Sequence, residues 1–291
     1  MPRCGCIRHF LHADVYNKCM NPEELHTLAQ RLRGHVIRMV TNAQSGHIAG
    51  PLGMADIYAA LYFGILNHRP QEPMWPGRDR LILSCGHTCP IRYAAMAEAG
   101  YFSVEELMTF RKLDSRLQGH PSRVDLPELE TSSGPLGQGL SQAVGMALEA
   151  RRTQQTWRTY AILSDGEHQE GQTWEAIMLA GAKRLENLTV ILDRNYIQID
   201  GPTEEVLPLD PLMAKYKSFG WHVIEIDGHN TTQFSAAVEE SKHQKMPTCI
   251  IAYTTPGKGI SFMEYDYRWH GKAPSPEEAH RALAELEVFR G

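Results

Sequence analysis

Asp165-Gly166 and Asn195 stand thirty positions apart, and each lies just beyond a short apolar run, Tyr160-Ala161-Ile162-Leu163 in one case and Leu188-Thr189-Val190-Ile191-Leu192 in the other. If the two runs are neighbouring parallel strands, a carboxylate and an amide oxygen meet at one edge of a sheet. Those are the hard oxygen donors that Mg²⁺ takes at about 2.0–2.1 Å in octahedral geometry, few from protein and the rest from phosphate and water. Ca²⁺ or Mn²⁺ could use the same donors. The backbone carbonyl of Ile197 would be a third protein ligand, and two diphosphate oxygens and a water would complete the shell. Gly166 lets the backbone approach a phosphate, because a Cβ there would intrude. A helix beginning near Gln172 would point its amino end at the anion. Either dipeptide alone reads as a turn. The pair, each after a buried strand, reads as a metal and diphosphate site.

The second group with chemical potential is histidine, of which the chain has fourteen. A lone histidine is most often structural or solvated, and His9, His12, His26, His35, His222, His243 and His280 are read that way. Four others sit in glycine-containing loops: Ser45-Gly46-His47, Cys85-Gly86-His87, Gln118-Gly119-His120-Pro121 and Trp269-His270-Gly271. Imidazoles titrating near neutrality suit proton transfer in both directions.

These residues need a scaffold that brings them together. Asn21-Pro22-Glu23-Glu24 opens a helix with an N-cap, a first-turn proline and a capping glutamate. Leu25, Leu28, Leu32, Val36 and Met39 then recur at helical spacing to about residue 43. Further helices are expected near 53–66, 90–99, 104–112, 138–153, 172–184, 210–218, 231–243 and 276–289. Between them lie five apolar runs too short for helices, at 81–83, 160–163, 188–192, 222–226 and 249–253, four of them rich in β-branched residues. Strands separated by helices imply a doubly wound α/β fold, a mostly parallel sheet with right-handed crossovers and helices on both faces. Ligands of such sheets bind beyond the carboxyl ends of the strands. The five segments there are all polar, among them Ser164-Asp165-Gly166-Glu167, Asp227-Gly228-His229-Asn230 and Thr254-Thr255-Pro256-Gly257-Lys258. One domain is expected over 21–291, after a short tail over 1–20.

Bulk properties narrow the partners. With 291 residues, 42% hydrophobic and 22% charged, the chain can bury a large core. A formal net charge of −5 gives no electrostatic case for nucleic acid. No apolar run approaches the roughly 20 residues needed to span a bilayer, and the broken apolar start is not a signal peptide. The six cysteines, at 4, 6, 19, 85, 89 and 249, lack zinc-finger spacing and read as free thiols in a reducing cytosol, with metal binding at Cys4 and Cys6 as a remote option.

The run Ser164-Asp165-Gly166-Glu167-His168-Gln169-Glu170-Gly171, with Leu192-Asp193-Arg194-Asn195 and Ile199-Asp200-Gly201, resembles the signature of thiamine-diphosphate enzymes, with Ser164 where that signature usually has glycine. The four loop histidines, in order, together with Thr131-Ser132-Ser133-Gly134-Pro135-Leu136-Gly137-Gln138-Gly139, resemble the amino-terminal half of transketolase from about residue 22 to 274. That resemblance implies cleavage of a ketose beside its carbonyl and transfer of a two-carbon glycolyl unit to an aldose. It implies that His47 and His270 handle the reacting oxygens, that His87 lies against the cofactor diphosphate and substrate, and that His120 holds the donor's C1 hydroxyl. Gly134 and Leu136 would contact the rings of the cofactor. Asp165 and Asn195 would hold the metal, with Gly166 and Glu167 beside the cofactor. Lys258 would lie near the diphosphate or substrate, and Glu170 at a subunit interface.

In that family the glutamate that activates the cofactor, and the arginines that hold the substrate phosphate, belong to a second domain. This chain reaches Gly291 without room for one. A separate carboxy-terminal partner subunit carrying that pyrimidine-binding domain is therefore expected, in an α₂β₂ assembly acting on sugar phosphates; a truncated piece of a longer chain is the other explanation. Alternatives are a 1-deoxyxylulose-5-phosphate-synthase-like protein, a 2-oxo-acid dehydrogenase α subunit, transketolase chemistry on a sulfonated or branched ketose, and an inactive binding half.

Overall fold

The computed structural model describes residues 20–286. Residues 1–19 of the expected tail, with Cys4, Cys6, Cys19, His9 and His12, and the end of the last expected helix lie outside those residues. Asn21 caps the first helix, α1 (Pro22–Ala43), in the expected way: its side chain accepts from the Glu23 and Glu24 N–H groups, and Glu24 reaches back to the Asn21 N–H. The chain continues through α2 (Ala49–Gly53), α3 (Ala55–Ala60), β1 (Arg80–Leu83), α4 (Cys89–Glu98), α5 (Gln138–Arg152), β2 (Thr159–Ser164), α6 (Gly171–Ala182) and β3 (Leu188–Arg194). It then forms β4 (Ile197–Gln198), β5 (Gly201–Pro202), α7 (Thr203–Val206), α8 (Leu212–Ser218), β6 (His222–Asp227), α9 (Thr231–Ser241), β7 (Thr248–Tyr253) and α10 (Pro276–Glu285).

Five strands pair in the order β1-β2-β3-β7-β6, every pair parallel. Alternate residues of the strands serve different cores. Leu81, Leu83, Tyr160, Ile162, Ile191, Ile250 and Ala252 pack with α1, α3, α4, α9 and α10, whereas Ile82, Ala161, Leu163, Val190, Leu192, Cys249 and Ile251 pack with α5, α6 and α8. Helices therefore cover both faces, which is why β2 and β3 are buried along their whole length and read as continuous apolar runs rather than alternating ones. Burying each such aliphatic side chain stabilises the fold by about 1.5–3 kcal/mol.

Three expected helices differ from what formed. The one expected over 53–66 begins at Ala49, breaks at Met54 and ends in a π-helical turn, Leu61–Ile65. Over 104–112 only a 3₁₀ turn forms, Val104–Thr109, because Arg111 takes a left-handed backbone (φ +58°) that cannot continue a right-handed helix. In the third, residues 210–211 stay outside, and α8 starts after Pro211. The β4–β5 hairpin and α7 carry no readable sequence signal, since elements of two to four residues have no period.

Candidate active site

Beyond the carboxyl ends of β1, β2 and β3 lies a cavity of about 320 Å³. All four glycine-loop histidines line it, as do Gly134, Leu136, Gly166, Glu170, Asn195 and Ile197. The loops reach it by close backbone approach. A Cβ on Gly86 would lie 2.5 Å from the Ser133 hydroxyl and 2.9 Å from the Gly134 nitrogen, so the segments carrying His87 and Gly134 can touch only with glycine there. A Cβ on Gly166 would stand 3.3 Å from Gln198 Cβ and narrow the floor.

The imidazoles form one cluster. Ring centroids are 4.8 Å apart for His47 and His87, 5.4 Å for His47 and His270, 5.1 Å for His87 and His270, and 6.3 Å for His47 and His120. The expectation that these groups titrate near neutrality is not met. Burial, then repulsion from His270, His120 and Arg111, pushes His47 down to about 4, and burial alone pushes His270 down to about 4. His87 is lowered well below its ordinary value by burial and its three histidine neighbours, and His120 is lowered by burial and Arg111. At neutral pH the cluster is uncharged, a set of proton acceptors rather than cations. His47 Nδ1 and the Ser133 hydroxyl are buried with no partner among the described residues.

β2 and β3 are adjacent, with Ser164 opposite Asp193, so Asp165 and Asn195 emerge side by side. Asp165 is fully buried; Oδ1 accepts from the Gly166 N–H at 2.8 Å, and Oδ2 from the Tyr196 N–H at 2.7 Å and Arg194 at 3.2 Å. Burial outweighs these donors and pushes its carboxyl up to about 6. Among the described residues no group of three or more His, Cys, Asp or Glu is arranged to hold a metal. The oxygens expected to hold a cation are instead one carboxylate, the Asn195 amide oxygen and the Ile197 carbonyl; the last two residues line the cavity, and Asp165 is absent from its lining. Ile197 pairs across the hairpin with Pro202, which has no N–H to offer that carbonyl. A buried carboxylate with acceptor capacity to spare, next to two neutral oxygens, fits a hard divalent cation.

Not every expected residue faces the cavity. Glu167 lies beneath it, fully buried, accepting from the Ser84 hydroxyl, the Gly137 N–H at 2.8 Å and the Ser164 N–H at 3.1 Å. It therefore ties the loop of Gly134 and Leu136 to the tips of β1 and β2. Lys258 is absent from the cavity lining: the turn at Gly257 (φ +76°) carries the chain toward α1, where Gly259 packs near Arg33 and Gln30. Glu170 is exposed at the rim. Burial pushes Glu167 up to about 7 from its ordinary 4.5, so its contribution to stability is full below pH 4.5 and lost as pH rises to about 7. Glu167→Gln puts an amide N–H against a donor and is expected to cost about 1–3 kcal/mol in a urea melt. The deficit should be larger at pH 5 than at pH 8; equal melts would remove Glu167 from its tying role.

Residues 25–286 match the family model described as transketolase, thiamine diphosphate binding domain. The chain belongs to the transketolase family. It is 43% identical over 261 residues to a 6-deoxy-6-sulfo-D-fructose transketolase subunit of Clostridium sp., covering 88% of this chain and 95% of that one. It is 35% identical over 268 residues to an apulose-4-phosphate transketolase subunit of Phocaeicola vulgatus, covering 92% and 95%. The crystal structure of Campylobacter jejuni transketolase superposes with a TM-score of 0.88 at 36% identity over 92% of this chain, which spans 43% of that longer one. Within this transketolase domain, sequence reasoning missed Arg111, whose charge acts on His47 and His120, and Asp193, which lines the cavity. Arg111 stands in no motif; Asp193 stands in Leu192-Asp193-Arg194-Asn195, where only the asparagine carries an expected role. Among the described residues no helix is long and apolar enough to cross a membrane.

Proposed function

We propose that this chain is the thiamine-diphosphate subunit of a two-chain transketolase, moving a two-carbon ketol unit from a ketose to an aldose with a separate pyrimidine-domain partner. The observation that carries it is the convergence of four glycine-loop histidines over the Asp165 and Asn195 strand tips in a transketolase-family chain. The relatives it spans almost end to end are named subunits, which supports a partner chain. An α₂β₂ assembly with Glu170 at the contact is the arrangement we propose, in keeping with that side chain's place at the exposed cavity rim.

Asp165, Asn195 and the Ile197 carbonyl would hold Mg²⁺, which would anchor the diphosphate. Thiamine diphosphate, when bound, supplies the carbon that carries the two-carbon unit. His47 and His270, uncharged at neutral pH, accept a proton from the donor's C3 hydroxyl and return one to the acceptor's carbonyl oxygen. His120 at the open side orients the donor's C1 hydroxyl, His87 borders the diphosphate, and Leu136 with Gly134 supports the rings. The enclosing loops limit water at the reacting atoms.

The test is co-expression with the partner and an assay of two-carbon transfer to an aldose phosphate, with a ketose phosphate, a 6-sulfo-ketose and pyruvate as donors. Transfer from a ketose is expected, with little activity from this chain alone. Consumption of pyruvate instead would overturn the assignment.

A further inference from the structure

A hydrogen-bonded chain crosses behind the cavity from β3 to β7 and β6. Asn195 has an acceptor on one side and a donor on the other. Its Nδ2 donates to Asp193 Oδ2 at 2.7 Å, and its Oδ1 accepts from the Ile197 N–H at 3.0 Å. A carboxylate oxygen only accepts here and a backbone N–H only donates, so together they fix which end of the amide is oxygen. Asp193 is 1% exposed, and its Oδ1 accepts from the Thr254 hydroxyl. Thr254 is itself held by its N–H on the Arg194 carbonyl at 3.2 Å.

The next residue continues the chain. The Thr255 N–H donates to His229 Nε2 at 2.8 Å, which leaves the proton on Nδ1, donated to Asp56 Oδ2 at 2.9 Å. Asp56 also takes the Arg33 guanidinium at 2.5 Å. On its other side the turn abuts α2, where a Gly53 Cβ would stand 2.9 Å from the Thr255 carbonyl. A buried carboxylate, hydroxyl and imidazole each cost free energy unless satisfied. Apolar side chains would fill the same space without that cost, so packing alone gives no reason for the polar groups.

We infer that Asp193 and Thr254 are positioning residues that aim the Asn195 amide oxygen at the divalent cation, with His229 holding their turn from behind. This rests on the proposed metal site at Asp165 and Asn195. Partners of this kind behind a ligand are typically worth about 10–100-fold in metal affinity.

The experiment titrates the full 291-residue chain, co-expressed with its partner subunit, with Mn²⁺ in the presence of thiamine diphosphate, reading free Mn²⁺ by electron paramagnetic resonance. Thr254→Val, which keeps the shape and removes the hydroxyl, and Asp193→Ala should each weaken Mn²⁺ by about 10–100-fold. His229→Leu should weaken it less, in the same direction, and Thr254→Ser should bind as the parent does. Metal-free melts separate lost affinity from lost fold, and Thr254→Val against Thr254→Ser decides the matter if Asp193→Ala does not fold. Parental affinity in Thr254→Val, or a Thr254→Ser as weak as Thr254→Val, overturns the inference while leaving the metal site standing. A parent chain that takes up no Mn²⁺ with the cofactor removes the site and the inference together.

Discussion

Asp165→Asn is expected to abolish metal-dependent binding of thiamine diphosphate while the fold survives. The side chain keeps its shape and one carbonyl oxygen, so one of the Gly166 and Tyr196 N–H groups keeps its acceptor while the other faces the new amide N–H, at a cost of about 1–3 kcal/mol. Arg194 keeps Thr203, Glu204 and Asp210 as partners. What disappears is the negative charge that we propose holds the cation. Leaving a buried charge without its partner costs about 3–5 kcal/mol, and each ~1.4 kcal/mol is tenfold, so affinity should fall on the order of 100-fold or more. Calorimetric titration of thiamine diphosphate, with and without Mg²⁺, reads this directly. Asp165→Ala would remove more, but it also strips an acceptor from buried Arg194 and mixes stability with binding. The same carboxyl sets a pH limit. Because burial pushes it up to about 6, protons compete with the cation below that value, and metal affinity should weaken as pH falls through 6. Undiminished Mg²⁺ dependence in Asp165→Asn would place the cation elsewhere.

The site was legible wherever chemistry and local backbone coincide. Asp165 and Asn195 stand immediately beyond apolar runs, and parallel pairing of those runs is enough to bring them together. Each cavity histidine follows a glycine or precedes one, and the glycines are what let the loops close on each other, as Gly86 does against Ser133 and Gly134. Quantities set by the folded surroundings were out of reach. His47 and His270 look the same as any histidine in a sequence, and their low proton affinity comes from burial and company that only the assembled cavity provides. Glu167 was readable as important but not as facing away, because a buried carboxylate's partners come from three separate segments. Lys258 lies outside the cavity lining for a local reason, the left-handed turn at Gly257. Arg111 was invisible because its left-handed backbone replaces the helix that the apolar spacing over 104–112 suggested.

His47→Ala and His270→Ala are each expected to cut turnover by about 10²–10⁴-fold, the usual worth of a general acid–base group, while the Kd for thiamine diphosphate changes little. The separation follows from position. Both rings stand in the imidazole cluster that lines the cavity together with Asn195 and Ile197, while Asp165 lies fully buried just beyond β2. His47 Nδ1 is buried without a partner among the described residues, so alanine there breaks no hydrogen bond at that atom. At saturating Mg²⁺, where protonation of Asp165 does not limit the rate, the acid limb of kcat/KM should fall below the ordinary histidine value of 6.5, toward the value near 4 that burial imposes, because protonation removes the acceptor form. The same shift makes the folded state release protons, so stability contributed by these rings is full above pH 6.5 and lost as pH falls to about 4. Alanine at either position should therefore flatten the acid side of the stability curve while it lowers turnover, two effects of one missing imidazole. If the two rings act on one proton path, the double variant should be little worse than the worse single one. Full turnover in His270→Ala would remove it from the proton path, and multiplicative losses in the double variant would assign the two rings to separate steps.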